Sequence, residues 1–290
     1  MSASAQSTRF STFVELTKPS ITGLSVFMAA GGYLLAGGQL GFPIVVAMGG
    51  IALVVAAANV LNMYLERDSD RLMKRTVSRP LPAGRMSPGV ALAYGLVLCV
   101  GSLLFLGVYV NPVTAALGGA ALVLYVLIYT PLKRRSPLAL VVGAVPGAAP
   151  PLMGCTAATG DIQTSGGILF LILFLWQIPH FIAIGLYRSG EYERAGIRIV
   201  SLVRGERVAR LHAIAYATAL VPVSLSLCMV GSASWLYAAV ALAIGLWFWS
   251  LTLKGMAQGS GPGWARKLFV SSLYYLPTLM VGLALDRMLL

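Results

Sequence analysis

Charge is what this sequence has least of. Only 10% of its 290 residues are Asp, Glu, Lys or Arg, against roughly a quarter in an ordinary globular domain. With 58% hydrophobic residues and a mean hydropathy of +0.84, that scarcity excludes a water-soluble fold for either half of the chain and leaves one integral membrane domain over 1–290. Acids are scarcer still, nine against 21 Lys and Arg, for a net charge of +12. Such a balance can serve nucleic acid, but these bases sit in short loops between apolar runs, so no nucleic-acid partner is expected. Phosphate-bearing small ligands and the anionic head groups of a lipid bilayer fit better. Cysteine is limited to Cys99, Cys155 and Cys228, far apart in apolar stretches and without a CxxC pair, which excludes a disulfide framework or a zinc site. The N-terminus, MSASAQSTRFSTFVELTKP, has no basic start leading into an apolar core and a small-residue cleavage site. The first apolar helix is therefore expected to remain as an anchor, behind a short cytoplasmic segment at 1–18.

What is abundant is long apolar sequence. A bilayer core needs about 20 apolar residues per helix, and this length predicts an all-α protein with nine spans, near 21–41, 42–62, 88–110, 112–130, 138–158, 166–187, 209–230, 233–253 and 268–287. Gly and Pro within them, such as Pro146, Pro150-Pro151 and Pro179, are tolerated in membrane helices whose neighbours satisfy the freed backbone groups. With the N-terminus inside, 20 of the 21 bases fall on the inner side and only Arg287 falls outside. The bias predicts a multi-pass protein of a bacterial inner membrane, with a cytoplasmic N-terminus, cytoplasmic active-site loops at 63–87 and 188–208, and the C-terminus outside.

The scarce charges cluster. Glu66, Arg67, Asp68, Asp70, Arg71, Lys74, Arg75 and Arg79 occupy 14 consecutive positions. Asn62, Glu66 and Asp70 recur at i, i+4 and i+8 and so share one face of a continuing helix. Two carboxylates and an amide oxygen suit Mg2+, which completes its shell with waters and substrate phosphates. Asp68 points off that face on a regular helix, which leaves it a second ion, a salt bridge, or a helix that has already ended. The acids and the basic row Arg67, Arg71 and Arg75 also suit a snorkelling, solvated helix end. A second basic group, Lys133-Arg134-Arg135, follows span four on the same side, and acids for Mg2+ with bases for phosphate oxygens are the parts of a diphosphate site. At a bilayer boundary, an isoprenyl diphosphate is the fitting substrate. Tyr125, Tyr129, Trp176, Phe181 and Tyr187 are candidate faces for an allylic cation.

The stretch Asn62-M-Y-L-Glu66-R-Asp68-S-Asp70 through Arg79-Pro80 resembles the first aspartate-rich motif of the UbiA-type intramembrane prenyltransferases, most closely in their protohaem IX farnesyltransferase (haem O synthase) branch. Y129-T-P-L-K-R-R-S, V142-G-A-V-P-G-A-A-P-P-L-M-G154, and W176-Q-I-P-H180-F with E191-Y-E-R-A-G resemble later signatures in the same order. K18-P19 and A265-R-K-L-F-V-S-S match more weakly. The resemblance implies a nine-helix fold and Mg2+-dependent transfer of a farnesyl group from farnesyl diphosphate to a vinyl of protohaem IX, giving haem O. It implies catalytic roles for Asn62, Glu66, Asp68, Asp70 and Glu191, with Mg2+ on Asn62, Glu66 and Asp70. Arg67, Lys133, Arg134 and Arg135 would contact diphosphate, and a downstream haem-modifying membrane enzyme would be a partner. Glu66 and Glu191 stand where Asp is usual, and R198-I-V-S-L-V-R-G replaces a proline-containing run. His180, one of only two histidines, is open to haem-iron contact, propionate hydrogen bonding, proton transfer or a structural role, with Trp176 beside it. Its spacing to Glu191 puts both on one helical face unless Pro179 resets the phase. A sister enzyme acting on an aromatic acid or quinone precursor, or a transporter, would carry similar charges on different chemistry.

Overall fold

A computed structural model describes residues 3–257 and 260–289, with side chains from residue 10 onward; positions 1 and 2 of the N-terminal segment lie outside it. Every regular element among the described residues is helical. In chain order they are α1 (Ala3–Leu16), α2 (Pro19–Leu35), α3 (Phe42–Asp70), α4 (Pro88–Tyr109), α5 (Pro112–Val123), a π-helical turn (Leu124–Tyr129), α6 (Thr130–Leu132), α7 (Ala139–Thr159), α8 (Thr164–Tyr187), α9 (Ser189–Arg194), α10 (Val200–Arg204), α11 (Glu206–Met229), α12 (Trp235–Leu253), a 3-10 turn (Lys254–Met256) and α13 (Pro262–Leu289). The all-α expectation is borne out. Among the described residues eight helical spans are long and apolar enough to cross a membrane, and the first of the nine expected spans is the shorter apolar α2, of 17 residues.

Local chemistry sets the ends. Proline opens α2, α3, α4 and α5 in the first helical turn, where a missing N–H costs nothing. Ser87 and Asn111 cap α4 and α5 by accepting from Val90 N and Thr114 N. Gly160, at φ 76°, closes α7 in the left-handed conformation that glycine adopts freely. The largest departure from the expected boundaries is α3, which runs to Asp70 and carries the acidic row eight residues past the predicted end of its span.

Packing is closest between α2 and α7. A methyl group at Gly154 would overlap the Ala29 carbonyl oxygen, and one at Gly32 would overlap that of Pro151. The two backbones therefore touch at small residues, the mode by which membrane helices gain dispersion contacts without a hydrophobic driving force. On one side of this pair, α3, α4 and α5 close a core around Ile51, Val54, Leu106, Leu122 and Met153. On the other, α8, α11, α12 and α13 close a second around Leu169, Ile172, Tyr237, Phe248 and Tyr275. Large apolar side chains such as Val97, Leu104, Val108 and Leu127 face outward, as lipid-facing positions do.

The one buried carboxylate away from the acidic row has a structural job. Asp286 accepts from the backbone N–H groups of Ser234 (2.7 Å) and Tyr237 (3.0 Å) and from the Ser234 hydroxyl, so a residue on α13 caps the start of α12. Asp286→Ala is expected to cost about 1–2 kcal/mol, the range for losing a helix cap. The readout is a lower apparent Tm in detergent.

Candidate active site

The helical extension of α3 places Asn62, Glu66 and Asp70 one above another, as their spacing requires, and each meets a basic group from elsewhere in the chain. Lys18 Nζ donates to Asn62 Oδ1 at 3.0 Å. Lys133 Nζ donates to Glu66 Oε1 at 2.8 Å, and Arg79 Nη1 to Asp70 Oδ2 at 2.7 Å. Asn62 is pinned further by its own donation to Thr130 Oγ1 (3.1 Å), which in turn donates to the Tyr125 carbonyl. Asp70 is 1% exposed, and its second oxygen, Oδ1, is buried without a hydrogen-bond partner. A buried, unpartnered carboxylate oxygen costs free energy unless something fills the position.

The three bases that pair with this row, Lys18, Lys133 and Arg79, line a cavity of about 400 Å3, and Asn62, Glu66 and Asp70 stand behind them rather than in its lining. Lys18, Arg75, Arg79, Lys133 and Arg198 line it near the helix ends, and Leu24, Met28, Pro150 and Leu173 line it deeper in the bundle. From Lys18 to Met28 the wall runs about 15 Å along α2 at 1.5 Å per residue. The cavity is thus basic at one end and apolar at the other, a shape for an anion carrying a hydrocarbon tail. Tyr125 and Tyr129 stand at the junction, their ring centres 5.2 Å apart. Both lie in the π-helical turn, and such turns often re-aim side chains at functional sites. The Tyr129 face is taken by the Lys133 ammonium at 4.6 Å, so Tyr125 carries the ring face without a cation on it.

The remaining expected positions fall elsewhere. Asp68 has a 66% exposed side chain, 4.0 Å from Arg67 and Arg71; of its three alternatives, α3 continues past it and loose ion pairs hold it. Arg67 folds back onto the Tyr64 carbonyl and ring. Arg134 and Arg135 are exposed and do not line the cavity. Glu191 does not share a helix with His180, which corrects the common face expected from spacing. The α8 helix stops at Tyr187, Arg188 takes a non-helical φ of −119°, and Glu191 begins a new axis on α9. There Glu191 accepts from Arg188 at 3.0 Å in a separate surface depression. His180 and Trp176 line the main cavity.

Among the cavity residues that went without a role in the sequence reading are Lys18, Arg79, Arg198 and Tyr192. Lys18 is the only non-glycine residue with positive φ (49°) among those described, a conformation that side chains adopt at a cost. Its K-P signature before an apolar helix was the available signal. Arg198 belongs to the departing run, and its N–H donates to the Lys133 carbonyl at 2.9 Å, tying the 188–208 loop to the connection that follows α6.

The two lysines differ electrostatically. Burial works against the Lys133 charge, but the Glu66 carboxylate outweighs it and holds the ammonium well above the usual lysine range. Lys18 meets only an amide oxygen; burial, and next the charge of Arg79, push it down to about 7. Because this folded value lies below the unfolded one, the unfolded chain binds more protons between about 7 and 10.5, and the contribution of Lys18 to stability falls as pH drops through that window. An arriving anion favours the charged form, so binding of a diphosphate-bearing ligand at this end would take up a proton. Affinity is expected to fall by up to about tenfold per pH unit above 7, and to lose that slope in Lys18→Met; calorimetry in buffers of different ionisation enthalpy reads the proton directly.

The donor set fits Mg2+ as far as these residues go. Two carboxylates and an amide oxygen are hard oxygen ligands, and Asp70 Oδ1 has no protein partner. No group of three or more His, Cys, Asp and Glu side chains gathers among the described residues, so a protein-only cage is absent and substrate oxygens would have to complete the shell.

Comparison with known proteins gives consistent neighbours. The sequence profile of the UbiA prenyltransferase family matches residues 25–273. A protein of Myxococcus xanthus named protoheme IX farnesyltransferase is 47% identical over 290 residues, covering 99% of both chains. The fold superposes on a digeranylgeranylglyceryl phosphate synthase structure with a TM-score of 0.83 at 16% identity, over 97% of this chain and 99% of that one. It also matches a UbiA homolog from Archaeoglobus fulgidus bound to GPP and Mg2+, with a TM-score of 0.70 at 15% identity, over 94% and 99% of the two chains.

Proposed function

The chain belongs to the UbiA prenyltransferase family, and on that footing we propose that it transfers a farnesyl group from farnesyl diphosphate to a vinyl group of protohaem IX, giving haem O. The observation that carries the reading is the cavity that is basic beside the acidic face of α3 and apolar beyond it. The name of the full-length relatives supplies the donor and acceptor.

The diphosphate would lie at the basic end. Arg75 and Arg198 line that end without a carboxylate partner of their own and can bind it at once. Lys133 and Arg79 would exchange part of their bond to Glu66 and Asp70 for phosphate oxygens, a trade between charge-assisted hydrogen bonds of similar strength. Mg2+, held by Asn62, Glu66 and Asp70 together with phosphate oxygens, would neutralise charge on the leaving group. The C1–O bond then breaks with its electron pair on diphosphate, and the Tyr125 face stabilises the allylic cation. The vinyl π pair bonds its terminal carbon to C1. The inner vinyl carbon, now cationic, takes the oxygen of a water molecule and a proton is lost. Farnesyl diphosphate, protohaem and water thus become haem O, diphosphate and a proton.

This reading makes the chain one membrane domain of a bacterial inner membrane, its N-terminus and the loops at 63–87 and 188–208 cytoplasmic and its C-terminus outside, handing haem O to a downstream haem-modifying membrane enzyme. Purified protein in lipid should convert protohaem and farnesyl diphosphate to haem O in the presence of Mg2+, detected by mass spectrometry. Folded, reconstituted protein that forms no such product would sink the reading.

A further inference from the structure

His180, which lines the cavity, is held through one ring nitrogen. Its Nδ1 lies 2.6 Å from Ser272 Oγ, contributed by α13, 92 residues away. Ser272 is fully buried, and its only hydroxyl proton is committed to the Phe269 carbonyl at 2.5 Å. A hydroxyl that has given its proton away can only accept. The proton between the two residues must therefore sit on Nδ1, which leaves Nε2 as the unprotonated nitrogen. Among the described residues Nε2 has no hydrogen-bond partner and is not among the buried unpartnered atoms, and His180 lines the cavity.

The ring is also fixed in orientation. Trp176, one turn earlier on α8, stacks on it with centres 4.8 Å apart and planes 24° apart. The Trp176 indole N–H donates to the Ser272 carbonyl at 2.9 Å, so stacking partner and hydrogen-bond partner are tied to each other. Phe269 adds a third ring at 5.2 Å. A neutral imidazole whose far N–H is bonded to a second residue, with an open Nε2 in a largely apolar cavity, is the arrangement by which proteins present histidine to a metal.

We propose that Ser272 is a positioning residue that fixes His180 as the Nδ1–H tautomer, so that Nε2 serves as an axial ligand to the iron of the porphyrin acceptor. This rests on the reading of that acceptor as protohaem. Ligation would fix the centre of the macrocycle at the cavity wall and leave its vinyl edge to be turned toward the prenyl C1.

The test is titration of the detergent-solubilised full chain with ferric protohaem alone, followed by optical and electron paramagnetic resonance spectroscopy. Wild type should show an imidazole-ligated iron. His180→Ala should lose that signature and regain it with added imidazole. Ser272→Ala should weaken ferric protohaem binding by about 10- to 100-fold, the usual effect of removing a hydrogen-bond partner of a metal-bound histidine, while Ser272→Thr, which keeps the hydroxyl, should recover most of it. Iron-free protoporphyrin IX should bind all four proteins alike, which also shows that the variants are folded. An unchanged spectrum in His180→Ala, unchanged affinity in Ser272→Ala, or parallel loss of iron-free porphyrin would overturn the proposal. Farnesylation assays on the same samples separate the two readings: histidine ligation without haem O upholds this assignment and removes the transfer reaction, and haem O formation with an unaltered His180→Ala spectrum does the reverse.

Discussion

Asp70→Asn lowers kcat by about a hundred- to thousandfold, the range seen when one electrostatic stabiliser of a developing charge is removed, in a protein that still elutes as a folded species. The substitution keeps an oxygen for Arg79 (2.7 Å from Asp70 Oδ2) and keeps the side-chain volume, so the loss falls on charge. It removes the carboxylate whose second oxygen is buried and unpartnered, the strongest local indication that a cation completes the site. Asp68→Asn is the matched control two residues away, on the solvated side of α3, and should leave kcat within about twofold, as surface charges do. Turnover in detergent, with thermal unfolding of each variant alongside, decides the matter. Near-normal activity in Asp70→Asn would reduce the acidic row to a salt-bridged helix end. Should Asp70→Asn fail to fold, Glu66→Gln asks the same of the half-buried neighbouring carboxylate.

Gly154→Ala is the largest expected effect on stability. The added methyl would occupy the position of the Ala29 carbonyl oxygen, and because backbone rather than a flexible side chain stands in the way, α2 and α7 must separate. Overpacking costs about 1–3 kcal/mol, more where the neighbour cannot yield. We expect about 3 kcal/mol, or an apparent Tm lower by about 5–10 °C. Separation of the two helices also strains the bond from Cys155 Sγ to the Gly32 carbonyl (3.1 Å). Gly23→Ala, on α2 but with nothing within 4 Å of the new methyl, should instead hold or raise the Tm, since alanine is the better helix former by about 1 kcal/mol. Equal behaviour of the two variants would mean that the α2–α7 contact is looser than drawn.

The helices and the acidic face were legible because both are periodic. Apolar length marks a membrane helix without reference to its neighbours, and Asn62, Glu66 and Asp70 align by helical geometry alone. What the sequence hid is what depends on contact between distant segments. Lys133 was expected from its basic cluster, but only the fold shows that it, and not Arg134 or Arg135, reaches the acidic row. Lys18 and Arg79 join Lys133 there from 44 residues before Asn62 and nine after Asp70. Spacing across a helix end misled in one place: the phase that linked His180 to Glu191 is lost at Arg188, where the chain changes axis. The contact with the least local signal is that of Ser272 with His180, which exists only because α13 packs on α8.

The π-helical turn at Leu124–Tyr129 has a bearing on how this site tolerates change. A π turn accommodates one residue more than the α ladder would, so the span from Pro112 to Leu132 contains a spare position of backbone. Loss of one residue there would let the ladder close into regular α-helix, yet each residue is worth about 100° of rotation. Tyr125 and Tyr129 would be shifted in phase against Lys133 and Glu66 while the bilayer saw a span of nearly the same length. The turn is in effect the adjustment screw of the cavity: a place where a length change invisible to membrane insertion is converted into a change of angle at the reacting end.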